Sequence, residues 1–228
     1  MISEKIINSK KCFIYENGIS NTFLIQPVDE HELELLSREA ELIKELSSNV
    51  PFTLIAFLID DWNTELSPWQ APAVFGNESF GSGAAQTLSF ITECLLPEIN
   101  NMYPSNIKKC FYLGGYSLAG LFALWSAYQI DQLCGIAAVS PSVWFPGWKS
   151  YIDSHSIYTS KVYLSLGKKE EKIRNELMKN VGDNIRCQYE LLCKEISKER
   201  CTLEWNEGNH FSDPEIRTAK GFAWLLKI

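Results

Sequence analysis

Acyl transfer by a side chain needs a nucleophile, a base to take its proton and an acid to orient the base. The chain offers one serine in a setting built for this, Ser117, within Gly115-Tyr116-Ser117-Leu118-Ala119-Gly120. An apolar run from Cys110 leads in, and Leu121-Phe122-Ala123-Leu124-Trp125 leads out. Strand, small residue, any residue, serine, any residue, small residue, helix is the pattern of a nucleophile elbow, which lifts a hydroxyl above a sheet. The reversal crowds the positions two before and two after the serine, where Gly115 and Ala119 fit, and Gly120 relieves the next turn. The following helix directs unpaired N–H groups at developing negative charge.

The base follows by elimination. Of three histidines, His31 falls in the first helical segment and His155 in the polar run Asp153-Ser154-His155-Ser156. Only His210 follows a late strand, in a loop with Gly208 and Asn209, and it completes the chain order serine, acid, histidine. The acid is Glu170, three residues past the strand-ending Gly167, with Glu171 as its alternative. Both also suit the charged first turn of a solvated helix. Asp213 is expected to cap the last helix. The oxyanion requires two backbone donors. One is the N–H of Leu118, directly after the serine, and the other comes from the turn after residues 52–59, Trp62 or Asp61.

The elements that must position these groups follow a strand–helix alternation. Residues 11–16 and 22–27 are predicted as two short strands joined by a turn at Asn17-Gly18. Leu33, Leu36, Leu42, Ile43 and Leu46 recur at helical spacing across 30–47. Phe52 to Ile59 is a continuous apolar run, the mark of a strand buried on both faces. A long connection, 60–84, precedes a helix over 85–100 that Pro97 kinks or ends. Further strands are predicted at 134–139, 162–166 and 201–205, with helix over most of 170–198, broken near Gly182, and over 213–227. The expected architecture is one α/β domain over 1–228, a mainly parallel sheet with helices on both faces and no large lid domain. In such sheets function gathers beyond the carboxyl ends of the strands. Loops there carry Trp62, Trp69, Phe75, Phe80, Trp144, Phe145, Trp148 and Phe211. Asp61, Trp69, Tyr116, Trp144 and Phe211 are the residues expected to line a pocket for an apolar or aromatic part of the substrate, about half of the loop aromatics serving only to pack the loops down.

Composition bounds the partners. The chain has 228 residues, 46% hydrophobic, enough for a sizeable core. A formal charge of −7 without a basic cluster excludes nucleic acid as a partner. No apolar run reaches the roughly 18 residues of a membrane span, and no signal-peptide core follows Met1. The seven cysteines include no C-x-x-C pair, so the expectation is a reduced, cytoplasmic protein without disulfide framework, zinc or other metal, or cofactor. Oligomeric state is not legible.

Gly115-Tyr116-Ser117-Leu118-Ala119-Gly120, Ser140-Pro141-Ser142-Val143-Trp144, Gly167-Lys168-Lys169-Glu170 and Gly208-Asn209-His210-Phe211 together resemble the putative-esterase branch of the α/β-hydrolases. That branch includes siderophore esterases of the enterochelin type, S-formylglutathione hydrolases and mycolyltransferases. Leu95-Leu96-Pro97-Glu98-Ile99 is similar to it as well, and the resemblance spans about residues 50–228. It implies Ser117 as nucleophile, His210 as base, Glu170 as acid and a small-molecule ester as substrate. Relatives often carry Asp-Gly where this chain has Asp60-Asp61, which leaves the second oxyanion donor open. Acyl transfer on the same triad, or a non-catalytic binding role on the same fold, are the alternatives.

Overall fold

The computed structural model describes residues 1–74 and 76–227. Phe75 and Ile228 lie outside the described residues. The strands are β1 (Ile2–Ile7), β2 (Lys10–Asn17), β3 (Thr22–Val28), β4 (Phe52–Leu58), β5 (Cys110–Tyr116), β6 (Leu133–Val139), β7 (Val162–Gly167) and β8 (Cys201–Asn206). They form one sheet in the order β1-β2-β4-β3-β5-β6-β7-β8. β1 and β2 are antiparallel to their neighbours, and from β4 through β8 every pairing is parallel. The helices are α1 (Glu30–Leu46), α2 (Trp62–Glu65), α3 (Ala84–Ser89), α4 (Leu96–Met102), α5 (Ser117–Ala127), α6 (Trp148–Ile152), α7 (Val181–Glu195) and α8 (Pro214–Leu226).

Parallel strands need crossovers, and the crossovers cover both faces. Leu36, Ala40 and Ile43 of α1 pack with Ala219 and Phe222 of α8 on one face. On the other face Leu88, Leu121, Phe122, Ile185 and Leu192, from α3, α5 and α7, form the larger core. α5 is buried at every position from Leu118 to Ala127, which is why its sequence shows no polar stripe. α1 starts at a capping box, Asp29 accepting from the Glu32 N–H while Glu32 reaches back to Asp29.

The structure departs from the expectations at five points. β1 was not anticipated, since its exposed, polar-rich face hides the alternation. β2 and β3 do not pair with each other; β4 lies between them, with Ile14 opposite Ile55 and Leu24 beside Leu54. The segment 170–198 is mostly helical as expected, but its break falls before Gly182: short 3₁₀ turns at Glu170–Lys172 and Met178–Asn180 precede α7, which starts at Val181 and holds Gly182 without interruption. Cys110 and Cys134 form a disulfide, because parallel pairing sets the starts of β5 and β6 side by side. Pro97 does not end its helix. A π-helical stretch, Phe90–Leu95, precedes it, and Pro97 then sits in the first turn of α4, where a missing N–H is tolerated. No described helix is long and apolar enough to cross a membrane.

Candidate active site

The end of β5 and the start of α5 form the elbow. Ser117 has φ +57°, a left-handed conformation that costs a non-glycine residue on the order of 1–3 kcal/mol and persists only where surroundings enforce it. The small residues do that enforcing. A Cβ on Gly115 would sit 2.5 Å from the Cβ of Ala119, and one on Gly120 would sit 3.0 Å from the Gly115 carbonyl oxygen. From beyond β6, the Ser142 N–H donates to the Ser117 carbonyl at 3.0 Å, and the Ser142 hydroxyl lies 3.4 Å from Ser117 Oγ.

His210 stands in the loop after β8 and faces both partners. Its Nε2 is 2.9 Å from Ser117 Oγ, and its Nδ1 is 2.7 Å from Glu170 Oε2. A carboxylate only accepts, so Nδ1 carries the proton and Nε2 is left to accept from the serine. Glu170 begins the 3₁₀ turn after β7 and is buried, with 5% of its side chain exposed. Its other oxygen, Oε1, accepts from the Gly167 N–H at 2.7 Å, the Ser140 hydroxyl at 2.8 Å and Arg217 Nη1 at 3.1 Å. A buried carboxylate keeps its charge only with such partners. Gly167 is required by this approach, since a Cβ there would lie 2.9 Å from Glu170 Oε1 and 2.8 Å from the Gly208 carbonyl oxygen. Glu171 turns away and pairs with Arg186 at 2.8 Å. His31 is exposed on α1, and His155 stacks on Tyr151 with ring centroids 4.0 Å apart.

The sequence did not single out Arg217. It lies on the buried face of α8 and is 2% exposed. Nη1 donates to Glu170, to the Tyr116 hydroxyl at 3.0 Å and to Ser140 at 3.3 Å; Nη2 donates to the carbonyls of Glu207 at 2.7 Å and Asn209 at 2.9 Å. One guanidinium thus ties the acid to the loop that carries the histidine. The available signal was a lone arginine on the apolar face of the last helix, since a charge at such a position needs a partner. The Ser140-Pro141-Ser142 turn has a matching role: Ser140 holds the acid, and Ser142 touches the nucleophile.

The residues expected to line a pocket separate into two groups. Trp144 and Phe211 line a cavity of about 250 Å³ beside His210, together with Lys169, Glu170, Ile173, Met178, Val181 and Asn209. Trp144 is buried, whereas Phe211 is 87% exposed with its ring edge-on to His210. Tyr116, Asp61 and Trp69 are placed elsewhere. Tyr116 lies under the histidine loop, and its hydroxyl donates to the His210 carbonyl at 2.7 Å. Burial pushes the Tyr116 phenol up to about 12, so it stays a donor at ordinary pH. Asp61 is the N-cap of α2, its side chain accepting from the Thr64 N–H. Trp69 donates its indole N–H to the Pro146 carbonyl at 2.7 Å and stacks on Trp148, pinning the loop after β6. Phe80, Phe145 and Trp148 are buried and pack loops down.

Trp62 opens α2 and Leu118 is the second residue of α5, so both N–H groups belong to helix first turns, which have no intrahelical acceptor. The Asp61 N–H, by contrast, donates to Glu65 Oε1 at 3.0 Å. Asp213 stands at the N-cap of α8 with φ +51° and makes no capping bond through its side chain. A larger cavity of about 700 Å³ lies at the opposite end of the strands, beside Phe111, Leu133 and Cys134.

The family model described as Putative esterase matches residues 37–202. No curated protein matches the chain by sequence. Among solved structures, an IroE-like serine hydrolase from Shewanella oneidensis superimposes with a TM-score of 0.78 at 15% identity, covering 99% of this chain and 80% of that one. The siderophore hydrolase EstA from Aspergillus nidulans gives 0.73 at 17% identity over 95% and 89% of the two chains. The enterobactin esterase FES from Shigella flexneri gives 0.67 at 14% identity, covering 99% of this chain and 58% of that one. The sheet order and these likenesses make the fold that of an α/β-hydrolase, with no large lid among the described residues.

Proposed function

The chain belongs to the putative-esterase family, and we propose that it is a serine esterase of small-molecule esters, working through an acyl-enzyme on Ser117 with His210 as base and Glu170 as acid. One observation supports this most: Ser117 Oγ, His210 and Glu170 form an unbroken line of contacts at 2.9 and 2.7 Å. In the first step Ser117 Oγ bonds to the ester carbonyl carbon, and its proton passes to His210 Nε2. The carbonyl pair moves onto oxygen, which accepts from the N–H groups of Leu118 and Trp62; the Asp61 N–H is already engaged by Glu65. Collapse breaks the bond to the alcohol oxygen, and His210 returns the proton to that oxygen. Water then repeats the sequence and frees the acid. Glu170 stabilises the imidazolium throughout without taking its proton.

The test is labelling with a fluorophosphonate. The wild type should gain one adduct on Ser117, located by peptide mass, and lose activity in step. Ser117→Ala should take no label and lose about 10³-fold or more in turnover while folding normally. Labelling at another serine would overturn the assignment.

The five free cysteines support a reducing compartment, and we propose the cytoplasm. Protein denatured under acid directly from cells should then titrate seven thiols, the Cys110–Cys134 pair being open there. Five thiols would place the protein in an oxidising compartment.

A further inference from the structure

We infer that the cavity beside His210 receives the alcohol portion of the ester, and that it selects an apolar alcohol of about one ring or a short branched chain. This rests on the roles of Ser117 and His210 given above. When the tetrahedral intermediate collapses, the bond to the alcohol oxygen breaks and its electron pair stays on that oxygen. The proton on His210 Nε2 must reach the same atom, so the departing alcohol lies within hydrogen-bond range of the imidazole. The acyl group stays on Ser117, at the elbow. A cavity walled by His210 itself and by its neighbours Asn209 and Phe211 is on the departing side.

The lining sets the chemistry. Trp144, Ile173, Met178, Val181 and Phe211 supply apolar walls, while Lys169 and Asn209 supply the polar contacts besides the triad. At about 250 Å³ the cavity is below the ~300–1,000 Å³ of sites for drug-sized ligands, which fits one fragment of a molecule. Its outer wall is unfinished: Ile173 and Phe211 are 43% and 87% exposed. Exposed apolar surface at the mouth of a site gains when a ligand covers it. The wall comes from the 3₁₀ turns, the start of α7 and the histidine loop, so one residue next to the general base also serves as a specificity determinant.

The experiment compares two ester series, one varying the alcohol with acetate fixed and one varying the acid with ethanol fixed. kcat/KM reports acylation, the step in which the alcohol leaves. Benzyl acetate should exceed ethyl acetate about tenfold or more, and Phe211→Ala and Met178→Ala should each cut that ratio about five- to tenfold, the scale of a few methylenes in an apolar pocket. The ratio of ethyl benzoate to ethyl acetate should change less than about twofold in the same variants, an expectation on that same scale. Because acceptors use the same path in reverse, benzyl alcohol should also outcompete ethanol for the acyl-enzyme, and the variants should erase that preference. Variants that shift the acid series instead would make the cavity an acyl pocket. Variants that shift neither series would overturn the inference. Loss of all acetate hydrolysis in the wild type, with no fluorophosphonate label on Ser117, would instead refute the catalytic reading beneath it. Phe211 is exposed enough that its replacement leaves the fold intact, which a thermal melt checks.

Discussion

Replacing Arg217 with methionine removes a buried guanidinium that bonds both the acid and the backbone of the histidine loop. Five bonds disappear: three from Nη1, to Glu170, Tyr116 and Ser140, and two from Nη2, to the carbonyls of Glu207 and Asn209. Arg217 and Glu170 are 2% and 5% exposed in their side chains, so solvent cannot substitute for either partner. Breaking a buried pair of this kind costs about 3–5 kcal/mol. The orphaned carbonyls lie within the same range, since such losses in one network do not add. That is a large share of a typical ~5–15 kcal/mol, yet leaves a folded majority. Glu170 keeps the Gly167 and Ser140 donors, so the carboxylate remains near His210. The histidine loop keeps the Tyr116 tie to the His210 carbonyl, the Lys169 N–H bond to the Gly208 carbonyl and the His210 contact with Glu170. It loses both guanidinium bonds, at Glu207 and Asn209, and a displacement of about 1 Å at a catalytic group costs about 10²-fold in rate. Arg217→Met should therefore melt well below the wild type and lose about 10²-fold in kcat/KM, with a parallel fall in fluorophosphonate labelling. Arg217→Lys restores the charge beside Glu170 but not the fork to two carbonyls, and should recover stability more than rate. Urea melts and kcat/KM for p-nitrophenyl acetate measure both. A methionine variant within about twofold of wild-type kcat/KM, against the loss expected from displacement, would refute the idea that this arginine positions the site.

Glu170→Gln should lower turnover about 10²-fold or more, because the amide cannot hold the imidazolium. Glu171→Gln, which disturbs only a half-exposed pair with Arg186, should stay close to wild type; equal effects in kcat/KM would refute the division of roles. Glu39 of α1 is buried against β3 and α8, with Gln26, Glu215 and the Arg38–Glu215 pair around it, and burial raises its carboxyl from 4.5 to about 8. The folded state thus holds a proton that the unfolded state releases. This contribution is complete below pH 4.5 and is lost as pH rises to about 8, withdrawing about 1.4 kcal/mol per pH unit. Glu39→Gln should raise the melting temperature above the wild type at pH 8–9 and lose that advantage near pH 5, and parallel melting curves across the range would refute it. Ser142→Ala should reduce kcat more than KM, since its hydroxyl meets Ser117 Oγ and not the cavity; an effect confined to KM would place Ser142 at the substrate instead.

What could be read along the chain is what neighbours in sequence decide. Gly115, Ala119 and Gly120 mark the elbow because the crowding they relieve arises within one turn of Ser117. The runs at β4, β5, β6 and β7 are continuous and apolar because both faces of each strand are covered. His210 needed only chain order and the small number of histidines. Where two residues are adjacent, sequence favoured one without a physical ground to exclude the other: Glu170 and Glu171 share charge, size and strand end. Only the 3₁₀ turn after β7 sends one toward His210 and the other toward Arg186. Pairing across the sheet was equally hidden, because a strand's side-chain pattern records how far it is buried and not which strand lies beside it. Hence β4 entering between β2 and β3, and Cys110 meeting Cys134, became visible only with the register. Trp69, Phe145 and Trp148 have the same composition signature as Trp144 and Phe211, yet the first three pack loops and the last two line the cavity. Arg217 is the clearest case. A charge on an apolar helix face calls for partners, but its five lie in the segments around β5, β6, β7 and β8, and only the folded sheet brings their ends to one point.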